Sequence, residues 1–427
     1  MAQNSRQLFV SENKMTEKQK SKKYWVIQLC YFLFFALCIS VPSGYSYASA
    51  VLLFLSLPLL INKKNYSVLD QNSKYLLLAF LVYVLIQGIS IIWDGGAIKE
   101  FDRPSRVLMG IAILLLCLRY PPRFLWLMNG IATGAIAAGI RALWDQQVTG
   151  YERAFEWMMP IQGGDISMSL GLLSLCGVMW AIKTSSYRYL FYFSIASVMG
   201  LLGSILSGSR GGWVLFPVIL FVGYRIFRDW FSARIKWGMA LALCLLISFC
   251  LIPQSGVPQR ISQAKNDVQL YFTGENKVTS LGHRFEIWKS SIDSFIKKPV
   301  FGWGNHGVRL SQEQQYKSGL ITKAAYDFNG HAHNQFLDEM AKRGIIGLSA
   351  LLALFLFPLT TFKKQLTTAV SAEAKTLAAC GVILVLSTID YCLSQAFLNH
   401  NSGIVFYCLS VILIYSSSKT TNFMERK

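Results

Sequence analysis

The sequence predicts an all-α, polytopic membrane protein with about twelve transmembrane helices and a mainly helical, water-facing insert. Hydrophobic residues occupy 53% of the 427 positions and aromatic residues 14%, and the mean hydropathy is +0.40. A single water-soluble core would not need this much apolar material, whereas a chain that crosses a bilayer repeatedly does. The spacing of the apolar runs and the placement of the cations support the same prediction.

Apolar runs long enough to cross about 30 Å of hydrocarbon define the predicted helices. They cover residues 24–41, 45–61, 75–93, 105–118, 124–144, 164–183, 189–206, 211–228, 235–252, 345–362, 376–393 and 403–417. The predicted organisation is therefore an N-terminal tail, nine spans, one large insert, three spans and a C-terminal tail, at residues 1–23, 24–252, 253–344, 345–417 and 418–427. The first tail is too polar for a cleavable signal, so Trp25 is expected to begin a retained helix.

Lysine and arginine collect in every second loop, as they do in short cytoplasmic loops. The clusters are Lys63 and Lys64, Arg119 and Arg123, Lys183 and Arg188, Arg225 to Lys236, Lys363 to Lys375, and Lys419 to Lys427. This alternation predicts cytoplasmic termini and an extracytoplasmic insert. It also accounts for the net charge of +19 as a topology signal and a contact for anionic lipid in the bilayer, so nucleic acid is not an expected partner.

Neither the cysteines nor the histidines predict a metal site. The nine cysteines lie in or beside predicted spans without CxxC spacing, so they are expected to be small apolar residues. His331 and His333 are two positions apart, but no acidic or cysteine partner follows at standard spacing. We therefore expect no metal and no cofactor.

The insert has its own helical pattern. A short amphipathic helix is predicted for residues 260–272, and a second, starting near His283, is predicted to end before Pro299. A glycine-rich turn at 302–307 and a polar loop at 311–330 are expected next. From His333 the apolar spacing predicts a helix that runs towards the tenth span.

Two arginines are candidates for binding an anion on the outer side. Arg210 lies among glycines and serines in a turn between two spans, where a guanidinium with flexible backbone and hydroxyls suits a phosphate. Arg284 begins a helix, whose dipole also favours anions. The alternatives are an Arg210 that only reaches lipid head groups and an Arg284 that is merely solvated.

His333 is the candidate general base, since a histidine can take a proton from an attacking hydroxyl near neutral pH. His331 and His283 are rival bases, and a buried structural role is a further alternative. Asp390 lies near the outer end of an apolar span, where a carboxylate is costly unless it has a partner. It could orient a histidine, pair with an arginine, or only hydrogen-bond between helices.

Four short patterns occur together with one long outer loop before the tenth span. They are Arg210 in a small-residue turn, Gly282-His283-Arg284-x3-Trp288, Pro299-x2-Gly302-x-Gly304, and His333-Asn334-x2-Leu337-x6-Gly344. In this arrangement the chain resembles the O-antigen ligase and polymerase family. The resemblance covers most of the chain in architecture and is specific from about residue 200 to 345. The late loop and the length are more similar to the ligase than to the repeat-unit polymerase.

The resemblance implies a fold like that of GT-C glycosyltransferases and a metal-independent, inverting transfer at the periplasmic face of the bacterial inner membrane. The implied donor is O-antigen on undecaprenyl diphosphate, and the implied acceptor is lipid A-core. Arg210 and Arg284 would stabilise the diphosphate, His333 would deprotonate the acceptor, and Asp390 would hold this machinery. A repeat-unit polymerase or a protein O-glycosyltransferase are alternative enzymes, and a twelve-helix lipid or sugar transporter is the non-enzymatic alternative.

Overall fold

Helices form every regular element in the part of the chain that the structure describes. The computed structural model describes residues 22–209, 211–238, 257–328 and 330–424. Its α-helices are α1 (Lys22–Leu37), α2 (Gly44–Ile61), α3 (Gln71–Trp93), α4 (Asp102–Arg119), α5 (Phe124–Gln147), α6 (Pro160–Lys183), α7 (Tyr187–Leu206), α8 (Phe216–Phe227), α9 (Val257–Thr273), α10 (Ser280–Lys297), α11 (Gly304–Lys317), α12 (Lys323–Asp327), α13 (Gln335–Thr367), α14 (Ala372–Ser394) and α15 (Asn401–Met424). The predicted all-α class is confirmed.

Eight of the described helices are long and apolar enough to cross a membrane, namely α2, α3, α5, α6, α7, α13, α14 and α15. The protein is therefore a polytopic membrane protein. Three further predicted spans coincide with α1, α4 and α8, which are not among these eight. Helix α1 has only 16 residues, α8 has only 12, and α4 is more polar than the eight helices. The predicted ninth span lies mostly outside the described residues. The count of twelve stays a prediction.

Three helices, α6, α14 and α15, form the centre of the bundle and are buried along most of their length. Small residues allow neighbouring helices to approach them closely. At the crossing of α6 and α7, a Cβ atom on Gly200 would lie 2.6 Å from the Cα atom of Gly171. Because lipid is as apolar as most side chains, close backbone packing of this kind drives helix association in membranes.

The insert is more helical than the sequence predicts. The two amphipathic helices are confirmed as α9 and α10, but the predicted polar loop at 311–330 is wrong, because it contains the end of α11 and all of α12. Helix α11 begins inside the predicted glycine-rich turn. Asp94, which follows α3, caps this helix by accepting a hydrogen bond from the backbone N–H of Gly307 at 3.2 Å. A cap supplied from a distant loop leaves no local pattern in the sequence.

Helix α13 confirms the predicted helix from the histidine segment into the tenth span, and it bends at Gly344. This residue has φ 62° and ψ −153°, a conformation open essentially to glycine alone. The segment after α10 packs into the bend, where the N–H of Ile345 donates to the carbonyl oxygen of Pro299 at 2.8 Å. The bend thus joins the insert to the membrane bundle. We call the end of the bundle that carries residues 257–344 the insert side.

Replacing Gly344 should destabilise the protein strongly. A Cβ atom there would lie 2.3 Å from the carbonyl oxygen of Val300, in addition to the unfavourable φ. We expect Gly344→Ala to cost about 2 kcal/mol or more, measured as a lower Tm of the purified protein in detergent. Gly223→Ala is the matched control, because its Cβ would meet only Ile383 Cδ1 at 3.7 Å. Equal Tm values for the two variants would contradict the role assigned to the bend.

Candidate active site

His333 lies on the insert side, in the segment that connects α12 to α13. Its backbone is left-handed, with φ 48°. Such a conformation is uncommon outside glycine and costs about 1–3 kcal/mol, so it persists where the surroundings enforce it. The next residue, Asn334, caps α13, because its side-chain oxygen accepts from the N–H groups of Phe336 and Leu337 at 3.0 and 3.1 Å. The start of the helix therefore fixes the position of His333.

Gln395, which follows α14, orients the imidazole ring of His333. The Nδ1 atom of His333 lies 3.2 Å from Oε1 of Gln395, and the same oxygen accepts from the N–H of Ala396 at 3.2 Å. An amide oxygen only accepts, so Nδ1 carries the proton in this hydrogen bond. Nε2 then keeps its lone pair, which a general base requires.

Aromatic rings surround His333. Phe328 stacks on it with ring centroids 5.2 Å apart, and the His331 ring meets it edge-on at 4.6 Å. Beyond His331 lies His400, at 5.8 Å between ring centroids. Among the described residues, no group of three or more histidine, cysteine, aspartate or glutamate side chains is arranged to hold a metal ion. Metal independence nevertheless stays a prediction.

Burial keeps these histidines neutral at pH 7. Loss of hydration lowers the pKa of His331 and of His400 to about 4. The pKa of His333 is also lowered, first by loss of hydration and second by the positive charge of Arg284. His331 Nδ1 already accepts the N–H of His333 at 3.1 Å, so His331 is a weaker rival as a base.

Arg284 is half-buried near the start of α10 and close enough to His333 to lower its pKa. Within the described ranges, no residue forms an ion pair or hydrogen bond with its guanidinium. Loss of hydration lowers the pKa of Arg284, but an arginine stays charged in proteins. An unpaired, half-buried cation beside a neutral base is well suited to binding an anion. The other rival base, His283, contacts the ring of Phe328.

A buried carboxylate, Asp338, supports the segment that carries the histidines. It accepts from the N–H of Ala332 at 3.1 Å, from Asn399 Nδ2 at 2.9 Å and from Lys342 Nζ at 2.8 Å. On the other side of the segment, Trp288 Nε1 of α10 donates to the carbonyl oxygen of Ala332 at 3.0 Å. Three parts of the chain therefore converge on one short loop.

Asp390 is buried in α14, and its Oδ1 atom accepts from the N–H of Leu215 at 2.9 Å. It forms no hydrogen bond with a histidine in the part of the chain that the structure describes, so the hypothesis that it orients one gains no support. A second buried carboxylate, Asp165, accepts from Ser209 Oγ at 3.3 Å. Asp165 thus holds the residue before position 210, and Asp390 holds a residue five positions after it. Arg210 itself lies outside the described residues.

Comparison with known proteins places this chain in a family. The family described as O-Antigen ligase matches residues 195–352. An uncharacterized protein of Haemophilus influenzae is 32% identical over 390 residues, which cover 91% of this chain and 97% of the relative. The chain belongs to the O-antigen ligase family. The O-antigen ligase of Escherichia coli K12 is 24% identical over 196 residues, or 44% of each chain. Family membership supports a ligase-type, glycosyltransferase-like function in a membrane.

The O-antigen ligase family match includes Arg284 and His333 but ends before Gln395 and His400. Sequence reasoning missed both of these residues. The signal available was a polar run, Ser394-Gln395 and Asn399-His400-Asn401-Ser402, between two apolar spans. Contact with His333 or His331 depends on the folding of α14 and α15 against α13, so the run alone does not reveal it.

We expect Asp338→Asn to weaken the support of the histidine segment. An asparagine can still accept from Ala332, but its Nδ2 group would face two other donors, Asn399 and Lys342. The expected cost is about 1–3 kcal/mol, read as a lower Tm in detergent. Asp327→Asn removes an acid from an exposed pair with Lys323 and should leave Tm unchanged. A Tm for Asp338→Asn as high as that control would refute the supporting role.

Proposed function

We propose that the protein is an O-antigen ligase that transfers polysaccharide from undecaprenyl diphosphate to lipid A-core. The observation that carries this proposal is that a neutral His333, whose Nδ1 is held by Gln395, lies near the Arg284 guanidinium, for which the described residues supply no ion pair or hydrogen bond. Both residues lie in the segment that matches the O-antigen ligase family. A base and a fixed cation are the two groups that a displacement with an anionic leaving group needs.

In the proposed reaction, a hydroxyl oxygen of the acceptor attacks the anomeric carbon of the donor sugar from the face opposite the diphosphate. The hydroxyl proton passes to Nε2 of His333 as the new C–O bond forms. The bond between the anomeric carbon and the diphosphate oxygen breaks, and undecaprenyl diphosphate leaves with the electron pair. Because the attack comes from the opposite face, the transfer inverts the anomeric centre. Arg284 and Arg210 stabilise the growing negative charge on the diphosphate, so no metal is required.

Asp390 is proposed as a positioning residue and not as a second base. Its hydrogen bond to the backbone of Leu215 supports this role, as does the hydrogen bond of Asp165 with Ser209. These two contacts fix Ser209, which precedes position 210, and Leu215, which lies five positions after it. The role of Asp390 is then to hold a backbone segment, and its removal should act through that segment.

The proposed location is the bacterial inner membrane, with both termini in the cytoplasm and the insert side facing the periplasm. Two clusters of cations support this orientation, one at Lys63 and Lys64 and one at Arg119 and Arg123. They lie at those ends of α2 to α5 that are farther from the insert side. A periplasmic site would meet a lipid-linked donor at the bilayer surface. Activated nucleotide sugars are not expected in that compartment.

A strain that lacks the protein should show free lipid A-core on a lipopolysaccharide gel, together with long O-antigen that remains on undecaprenyl diphosphate. Expression of the wild-type chain should restore the ladder, and His333→Ala should not, at equal membrane levels. His306→Ala is the control, because His306 is an exposed histidine on α11. Core that carries a single repeat unit in the deletion strain would overturn the proposal in favour of a polymerase.

The pH dependence of transfer by the purified protein tests the link between Arg284 and His333. The lowered pKa predicts that the rate falls only as the pH drops below the usual histidine value of 6.5. Arg284→Gln removes the nearby positive charge, which raises the pKa of His333, so the acid limb should move to higher pH. Arg284→Lys keeps the charge and loses the planar fork, so it should slow transfer without moving the limb. Identical acid limbs in wild type and Arg284→Gln would refute the proposed coupling.

A further inference from the structure

Helix α10 of the insert has its polar side turned inward. Its buried residues include Glu286, Ser290 and Ser294, whereas Ile296 is 69% exposed. In a domain surrounded by water the reverse arrangement is expected. The helix therefore presents an apolar side to its surroundings on the insert side of the bundle.

The inward polar side is held by hydrogen bonds, so the helix is fixed in this orientation. Ser290 Oγ donates to Gln315 Oε1 of α11 at 2.5 Å, and the hydroxyls of Ser294 and Ser311 are 2.8 Å apart. Glu286 accepts from the N–H of Thr322 at 2.7 Å. Turning the helix over would bury apolar side chains but would leave these polar groups without partners.

Exposed apolar side chains lie on α10 and on the segments before and after it, and we call this set the outer apolar face. It consists of Phe272, Ile292, Ile296, Val300 and Phe301. Phe272 and Phe301 are 78% and 75% exposed. Between α9 and α10 the face includes a groove of about 440 Å³, whose wall is mostly apolar. Exposed apolar area of this kind marks a surface that meets an apolar partner.

The contacts of the outer apolar face with α13 place one end of it at the membrane boundary. The N–H of Ile345 donates to Pro299 O at 2.8 Å, and the N–H of Ile346 donates to Val300 O at 3.4 Å. The apolar part of α13 that is long enough to cross the membrane follows this point. Val300 and Phe301 therefore lie at the depth where a lipid leaflet begins.

Two exposed lysines flank the same end of the face. Lys297 pairs with Asp293 at 2.8 Å, and the ammonium group of Lys298 lies 4.0 Å from the centroid of the Trp303 ring. Lysine and tryptophan beside an apolar helix side are typical of helices that lie in the interface plane, where ammonium groups meet lipid phosphates.

We propose that the outer apolar face docks into the phospholipid leaflet on the insert side, so that α10 lies in the membrane interface. Arg284 lies near the start of α10, and the helix ends close to the boundary, so this docking sets the depth of Arg284 relative to the lipid phosphates. The partner is the leaflet itself and not a protein. The proposal concerns membrane contact and stands whether or not the transfer reaction is as proposed.

Spin labels can test the docking in vesicles of phosphatidylethanolamine and phosphatidylglycerol. Labels at Ile296→Cys and Phe301→Cys should collide with oxygen more often, and with a water-soluble nickel chelate severalfold less often, than a label at Lys323→Cys. Lys323 is the control because it is a charged, exposed side chain of the same insert. The chain without an added cysteine gives the background, since its described cysteines are all buried.

Equal access of the nickel chelate at 296, 301 and 323 would overturn the proposal, because the face would then lie in water. Protection from both oxygen and the chelate would also overturn it, in favour of a protein partner.

A second measurement uses a label at Ile292→Cys in a variant that also carries Ile296→Asp and Phe301→Asp. We expect chelate access at 292 to rise in that variant and to stay low with Leu310→Asp, which changes an exposed apolar side chain outside the face.

Discussion

The hydrogen bonds of the buried Asp338 carboxylate hold the candidate site together. They reach the histidine segment through Ala332, the segment after α14 through Asn399, and the helix of Asp338 itself through Lys342. The histidine segment and the segment after α14 also pack through Ala332, Phe397 and Leu398, but their buried polar groups need partners. A carboxylate with several charge-assisted hydrogen bonds can fix such segments because the local dielectric is low. The placement of His333 against Gln395 follows from this junction.

Some of this arrangement could be predicted from the sequence. The apolar runs predicted the helical membrane bundle, and the apolar spacing predicted α9, α10 and the start of α13. Residue chemistry made His333 and Arg284 separate candidates, and the resemblance to the family implied that they act in one site. The signals for the helices are local, because about twenty consecutive residues determine a helix and its apolar side.

The rest depends on contacts between residues that are far apart in the chain. Helix α11 was missed because its cap, Asp94, lies more than two hundred residues earlier. Gln395 and His400 were missed because a polar residue between two spans acquires a role only when another helix packs beside it. For Asp390 the sequence left three alternatives open, a histidine, an arginine or a hydrogen bond between helices, and its hydrogen bond goes to the backbone at Leu215. The direction of a side chain within a helix bundle is decided by packing, which single residues do not encode.

The bend at Gly344 has a consequence for how the protein responds to its bilayer. It is packed against Pro299 and Val300, and it is therefore a fixed corner and not a free hinge. The part of α13 inside the membrane and the part that carries Asp338 keep a constant angle. A helix span tilts to match the thickness of the hydrocarbon around it. Through the fixed corner a tilt of the span would turn the histidine segment with it, so the orientation of the site relative to the bilayer follows membrane thickness.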